Sequence, residues 1–409
     1  MEVLHPRCAG LDVHKDTVVA CVRLAQGRRA AQHEVASFGT TTRELLRLSD
    51  WLEAQGCTHV AMEATGVYWK PVWHVLEGSF ELLLAHPQHV RAVPGRKTDV
   101  NDATWLADLL AHGLVPASFV PPTAVQELRT LTRTRKQLVR ERSQHVQRLQ
   151  KTLETADVKL ASVVSDLTGA SGRAILRALI AGETDPERLA ELARGSLRGR
   201  RGELAEALLG RVTRHHRFLL RLHLDHVETL ERLVEEVERE LEVAIEPFRA
   251  QIQRLRTVPG VQELLAQTIL AEIGADMTRF PDAGHLLSWA GLCPRSDESA
   301  GKRRSTRVRT GNAWLKTALV QAAWADVRVK DSYLRSQFLR IKSRRGPKKA
   351  ILAVAASILT AAYHMLRDDA DYRDLGANHF DRRERLRRTR TLVRRLRELG
   401  YEVELRSAA

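Results

Sequence analysis

Five short apolar runs crowd into the first 87 residues, and this constrains the fold more than any other feature. RCAGLDVH (7–14) and TVVACVRL (17–24) are β-branched and separated by a turn near His14–Asp16, which predicts adjacent strands. EVASFGT (34–40), THVAMEA (58–64) and FELLLAHP (80–87) supply three more. Between them, TTRELLRLSDWLEAQ (41–55) has helical spacing behind a threonine cap, and VYWKPVWHVLEG (67–78) reads as a short helix with Pro71 in its first turn. A further helix is expected from about Asp99 to His112. The order βββαβαβα predicts an α/β unit, a mixed sheet flanked by helices.

The pattern then changes. VPASFVPPTA (115–124) is proline-rich and reads as a linker. VQELRTLTRTRKQLVRERSQHVQRLQKTLE follows as a basic amphipathic helix, with Arg129 and Arg133 as candidate nucleic-acid contacts. The stretch 214–245 sets Leu220, Val227, Leu230, Val234, Val237, Leu241 and Ala244 at heptad spacing, interrupted by His223. An antiparallel hairpin, an intersubunit coiled coil and a helix packed inside its own domain all fit that seam. From TVPGVQELLAQTILAEIG (257–274) a second globular region begins. Its Pro259–Gly260 turn resembles half of a helix-hairpin-helix, which can present backbone N–H groups to a phosphate. AILAVAASILTAAYHML (350–366) is alanine-rich and reads as a core helix rather than a membrane span. The stretch 379–400 is a basic amphipathic helix whose Arg383, Arg387, Arg390 and Arg394 could track a strand of phosphates. The expected division is 1–120 α/β, 121–250 coiled-coil helices, 251–370 a helical C-terminal domain and 371–409 a basic tail.

Charge points to the partner. The chain holds 65 Lys and Arg against 50 Asp and Glu, a formal net of +15. Residues 1–120 carry −2 and the remainder +17, so a nearly neutral unit is joined to a body suited to a polyanion. Aromatic residues are only 5%, so no stacking platform for single strands stands out. Cys8, Cys21, Cys57 and Cys293 make no CxxC pair and no zinc spacing, and read as buried thiols in a reducing compartment. The start MEVLHPRCAGLDV lacks a signal peptide's apolar run. A cytoplasmic protein working on nucleic acid, with no membrane partner, is expected.

KTDVNDA (97–103) places Asp99 and Asp102 three apart in this basic chain. A helix N-terminus alone can explain such a pair, since the macrodipole there is positive. The strand order adds partners. Asp12 ends the first strand in GLDVHK, and Glu63 ends the fourth in AMEATG. Parallel neighbours would bring both to the edge where the helix from Asp99 begins. Four carboxylates crowded together raise each other's pKa and need a cation. Oxygen-only ligands suit Mg²⁺ or Mn²⁺, and two ions about 4 Å apart can clamp a phosphodiester. This is a ribonuclease-H-like arrangement. Asp16 and Asp108 are assigned to surface and helix.

The second chemical centre is WAGLCPRSDESAGKRRSTRVRTGNAWLK (289–316), where SAGK leads into Lys302, Arg303, Arg304, Arg307 and Arg309. Ser299 here could attack a phosphate, with the cations stabilising the developing charge, or could merely hydrogen-bond to one. Ser296 and Ser305 compete for either role. Tyr333 and Tyr363 lie in no such cationic turn.

Taken together, GLDVHKD, MEATGVYWKPV, KTDVNDATWLADLL and the ordered blocks VPGV, AEIG, LLSWAGLCPR, S-x-G-K and R-x-GN-x-x-LK resemble the DEDD transposases of insertion sequences, the bridge-RNA-guided recombinases. The resemblance implies a RuvC-like N-terminal domain, a coiled-coil region and a serine-bearing C-terminal transposase domain. It implies Asp12, Glu63, Asp99 and Asp102 as the catalytic, metal-holding set and Ser299 as covalent nucleophile delivered to it. It further implies double-stranded donor and target DNA, a guide RNA and a homo-oligomer, dimer or tetramer. Glu298 and Ala300 depart from the Ser-Ser-Gly-Gly that the family often shows, and the tail after Asp371 has no match. A metal-dependent Holliday-junction-type nuclease and a non-catalytic nucleic-acid-binding protein are the alternatives.

Overall fold

The computed structural model describes residues 2–25, 31–64, 66–87, 90, 102–294, 297–299, 302–305, 307–308 and 310–404. The chain divides into two compact units, Met1–Val120 and Pro121–Ala409.

In the first unit β1 (Arg7–Val13), β2 (Thr17–Leu24), β3 (Gln32–Gly39), β4 (His59–Glu63) and β5 (Glu81–Ala85) form one sheet in the order β3-β2-β1-β4-β5. The first three strands are antiparallel, and β4 and β5 run parallel to β1. The expected mixed sheet is therefore present. Side chains alternate across it. Ala9, Leu11 and Val13 join Leu45, Leu48 and Leu52 of α1 (Thr42–Ala54) and Val72 and Leu76 of α2 (Trp69–Leu76) in one core. Cys8 faces the opposite side with Ala61 and Ala85, where Leu106, Leu109 and Leu110 of α3 (Asp102–Ala111) fill a second core. Gly10 lets α3 lie directly on the strand. A β-carbon there would collide with the Ala103 carbonyl oxygen and stand 2.5 Å from the Ala107 nitrogen.

The second unit begins with α4 (Thr123–Thr155), followed by α5 (Ala170–Ala181) and α6 (Arg214–Ala244). Ion pairs Arg135–Glu238 and Arg142–Glu231, with His145 stacked on His226, show that α4 and α6 run antiparallel. Leu220 and Val227 of the heptad seam, with Leu224 beside them, are buried against α4, α5 and the short helices near 160–208. Leu230 and Leu241 are also buried, while Val234, Val237 and Ala244 are half-buried, so the first half of the seam packs within one chain. Beyond the hairpin come α7 (Arg249–Arg256), α8 (Glu263–Ile273), α9 (Ala283–Trp289), the strands β6 (Asp297–Ser299) and β7 (Lys302–Ser305), and α10 (Ala313–Asp326). The chain continues with α11 (Tyr333–Arg345), α12 (Pro347–Arg367) and α13 (His379–Glu398). Helix α12 is long and apolar enough to cross a membrane by composition. Its Ala350, Val354, Ala355, Ile358, Leu359 and Ala362 are buried in the unit's interior, as a core helix requires. The Pro259–Gly260 turn has one side against backbone. Gly260 has φ +78°, and a β-carbon on it would stand 2.6 Å from the Asp326 nitrogen, so the turn is pressed against the end of α10.

Candidate active-site residues

The β1/β4 register places Gly10 opposite Ala61 and ends with Leu11 opposite Met62. One step further sets Asp12 beside Glu63 on strands about 4.8 Å apart. Both lie on the α3 face, because Gly10 and Ala61 two residues earlier do. Helix α3 runs back along β1. The Leu4 N–H donates to the Ala111 carbonyl (2.8 Å), Cys8 Sγ donates to the Ala107 carbonyl (3.5 Å), and Gly10 sits under Ala103. Its first residue, Asp102, therefore starts at the Asp12 end. The fold brings Asp12, Glu63 and Asp102 to one edge, while Asp99 lies outside the described residues.

The Asp12 carboxylate is 22% exposed, and His14 Nε2 lies 3.1 Å from its Oδ2. His14 stands in GLDVHK, but a histidine on an exposed turn gives no signal of its own. The donors are oxygens open to solvent at a strand edge, which fits a hard divalent ion rather than zinc. Among the described residues, no three His, Cys, Asp or Glu side chains stand close enough to hold an ion. Asp12, Glu63 and Asp102 alone do not close a site. Cys8, on the same face, is no rival ligand: burial pushes its thiol up to about 12, so it stays protonated.

Asp108 does more than occupy a helix surface. Its Oδ1 accepts from Arg23 Nε at 2.8 Å and lies 3.0 Å from His33 Nε2. Arg23 is buried in β2, so a paired cation pins α3 to the sheet that carries Asp12. A charged residue at an inward position of TVVACVRL demands a partner, and that was the available signal. Asp16 is exposed, in keeping with its surface assignment.

Ser299 ends β6 and pairs with Lys302 of β7, and Asp297 pairs with Ser305. The serine therefore flanks a two-residue connection at the tip of a hairpin. A Pro294–Val308 bridge continues the pairing toward the base. There, a β-carbon on Gly311 would stand 2.5 Å from the Ala290 carbonyl carbon and the Gly291 nitrogen, so two backbones meet in contact. Asn312 follows. Its Oδ1 accepts from the Trp314 and Leu315 amides (3.0 and 3.1 Å), capping α10, and its Nδ2 donates to Glu272 Oε2 at 2.5 Å. Glu272 is fully buried.

The partners of Glu272 correct an expectation. Arg133 donates to both its carboxylate oxygens (2.8 and 2.7 Å), and Arg129 donates to the Ala271 and Glu272 carbonyls (2.9 and 2.8 Å). Burial lowers the Arg129 pKa and Glu272 opposes that shift. Arg133 and Lys136 also cover the Trp314 ring at 5.5 and 5.3 Å. Arg129 and Arg133 thus hold α4 to α8 and are not displayed to nucleic acid, because a buried carboxylate needs cationic partners.

Lys302 and Arg307 are exposed. Arg303 and Arg304 are positions in β7, and Arg383 and Arg387 are positions in α13. Ser296 and Arg309 lie outside the described residues. The Ser305 hydroxyl accepts from the Arg307 amide at 3.2 Å. The Tyr363 hydroxyl donates to the Phe280 carbonyl at 3.0 Å in the core, and Tyr333 stacks on Phe380.

Comparison with known proteins adds a family. A model of DEDD transposases of IS110 type, described as a transposase, matches residues 9–156, and a model for the transposase IS116/IS110/IS902 family matches residues 252–339. The chain is similar to the uncharacterized 43.6 kDa protein of insertion element IS110 from Streptomyces coelicolor, 33% identical over 120 residues, 29% of each chain. It is 25% identical over 297 residues to the transposase for insertion sequence element IS1111A of Coxiella burnetii, covering 71% of this chain and 72% of that one. It is 27% identical over 324 residues to the uncharacterized 44.8 kDa protein of insertion element IS116 from Streptomyces clavuligerus, covering 70% of this chain and 78% of that one.

Proposed function

The chain belongs to the IS116/IS110/IS902 family of transposases, and from that premise we propose that it cuts and rejoins DNA through a covalent serine–DNA intermediate. The observation that carries this reading is the pair of centres. Asp12 and Glu63 end neighbouring strands at the edge where α3 begins, and Ser299 lies in a hairpin with exposed cations whose base packs at Gly311 and Asn312.

Asp12, Glu63, Asp99 and Asp102 would hold Mg²⁺ or Mn²⁺, up to two ions. Bound there, the metal would supply charge neutralisation at the phosphate oxygens. The rest falls to the chain. The Ser299 hydroxyl attacks phosphorus and gives its proton to a base. One P–O bond forms as another breaks, and the departing DNA hydroxyl takes up a proton. Rejoining is the reverse, with a DNA hydroxyl attacking the phosphoserine and Ser299 released. Serine needs activation for this, and the carboxylate centre is the source this chain offers. Exposed Lys302 and Arg307 favour the negative charge that develops on the phosphate.

A guide RNA pairing with donor and target DNA would leave the protein to hold backbones by charge, which the +17 beyond residue 120 suits. A homo-oligomer rests on the family resemblance, since the first half of the heptad seam already packs within the chain.

The test is trapping of the protein–DNA adduct. Ser299→Ala should bind DNA as wild type yet form no adduct and no recombinant. Asp12→Asn should likewise bind and not cut. An adduct formed by Ser299→Ala would show the nucleophile to be another residue. Metal-dependent cutting by wild type with no adduct at all would favour a simple nuclease.

A further inference from the structure

Residues 332–367 contain eight Lys and Arg and no Asp or Glu. Five of the eight, Lys342, Arg344, Arg345, Lys348 and Lys349, gather at the turn from α11 to α12, and all five are exposed. Lys342 lies 5.8 Å from the Phe338 ring. Among the described residues, no ion pair joins any of the five to an acid. They stand in neither the serine hairpin nor the carboxylate edge.

The local electrostatics are unfavourable to the isolated protein. Gly346, at φ +80°, ends α11 and begins α12, with Pro347 in the first helical position. That tight turn folds five like charges into eight residues. Lys342, Arg344 and Arg345 sit in the last turn of α11, where cations suit the helix dipole. Lys348 and Lys349 sit at the opposite pole, in the first turn of α12, where cations oppose it. The α12 start has no acidic residue in its first turn and no side-chain cap. Folding therefore gains nothing from these two lysines. A polyanion laid across the turn would turn both the mutual repulsion and the dipole conflict into attraction.

We propose that the α11–α12 turn is a docking surface for the phosphate backbone of duplex DNA, independent of base sequence. The chemistry of the turn selects the duplex. No aromatic residue lies within 342–349 and the neighbouring Phe338 ring is buried, so the turn itself offers unpaired bases no ring to stack on. Its one hydroxyl, Ser343 Oγ, already donates to the Arg340 carbonyl at 2.9 Å. No other neutral polar side chain is present to read a base edge or a ribose 2′-hydroxyl. What is left is five cations, which laid on phosphates position a backbone without reading sequence. This surface rests on the proposed function only in that the protein acts on DNA.

The experiment measures affinity of the full chain for a 40-base-pair DNA duplex across a salt series, and for an RNA duplex of equal length. Replacing Lys342, Arg344, Arg345, Lys348 and Lys349 with Gln should flatten the slope of log K against log salt by about three to five and weaken DNA binding at least about tenfold in low salt. Arg344→Gln with Arg345→Gln alone should flatten it by about two, which keeps the test open should the fivefold variant fold poorly. An unchanged DNA slope in a folded variant overturns the proposal. So does loss confined to the RNA duplex. A wild type that binds DNA with a steep slope but forms no serine adduct would sink the recombination reading and leave this surface standing.

Discussion

Asn312 does two separable jobs, and substitution can pull them apart. Its Oδ1 caps α10 and its Nδ2 tethers the cap to buried Glu272. Asn312→Ser keeps a capping oxygen and loses the tether. Asn312→Ala loses both. The tether is a hydrogen bond to a charged acceptor, worth about 1.5–3 kcal/mol, and the cap is worth about 1 kcal/mol. Asn312→Ser should therefore cost about 2 kcal/mol and Asn312→Ala about 3 kcal/mol. Glu272→Gln leaves Arg133 facing a neutral amide. A broken buried pair costs about 3–5 kcal/mol, but the Arg133 side chain is 34% exposed, so water recovers part and about 2–3 kcal/mol is expected.

Urea titration of each variant gives these costs. Amide exchange at Trp314 and Leu315 adds the local readout: Asn312→Ala should accelerate both, whereas Asn312→Ser should leave them near wild type. The double variant Asn312→Ser with Glu272→Gln should cost less than the sum by about 1 kcal/mol or more, since both remove one bond. Strict additivity, or an Asn312→Ser protein as stable as wild type, would refute the tether. The adduct assay connects this to function, because the tether anchors the strand end that leads back to Ser299. Asn312→Ser should lower adduct yield while leaving DNA affinity intact.

Two further outcomes are expected. Gly10→Ala should cost about 1–3 kcal/mol by overpacking, since its β-carbon meets backbone atoms of α3 that cannot swing aside; wild-type stability in denaturant would contradict the direct helix–strand contact. Asp326 is fully buried, neither of its carboxylate oxygens has a hydrogen-bond partner, and burial first, then Asp374, push its carboxyl up to about 7. A folded pKa above the unfolded value means that stability is full below about pH 4 and is lost as pH rises toward 7. Asp326→Asn should thus stabilise the protein by up to about 4 kcal/mol at pH 8 and by nothing near pH 4, and a gain that does not change with pH would refute this.

The sheet was legible because its signals are local. β-Branched runs mark strands whatever surrounds them, and a period of two fixes which residues share a face, so Asp12 and Glu63 could be set side by side from order alone. Helix α3 needed one tertiary fact: Gly10 reads as a plain strand glycine until Ala103 and Ala107 are found over it. The heptad seam of α6 was visible, but not its partner, because α4 and a second copy would satisfy the same leucines. The Glu272 network was hidden for a related reason. Arg133 lies 139 residues from Glu272, and an arginine on a basic amphipathic helix looks the same whether it meets a phosphate or a carboxylate. The readable half was Glu272 itself, a lone acid within the last turn of ELLAQTILAEI.

That contrast changes how the charge imbalance should be read. A surplus of +17 beyond residue 120 sets the long-range field that draws a polyanion in, but it does not say which cations touch it. The fold sorts them. Arg129 and Arg133 are committed to Glu272 and its backbone, Arg135 to Glu238, and Arg142 and Arg173 to Glu231. These pairs fix helices to one another, and an arginine held there cannot release a counterion from DNA. Lys302, Arg307 and the five cations of the α11–α12 turn are exposed and can. Acids in the second unit therefore have a definite role: they convert part of a basic surface into architecture. Among the described residues, the serine hairpin and the α11–α12 connection are two turns where exposed cations are left for a polyanion.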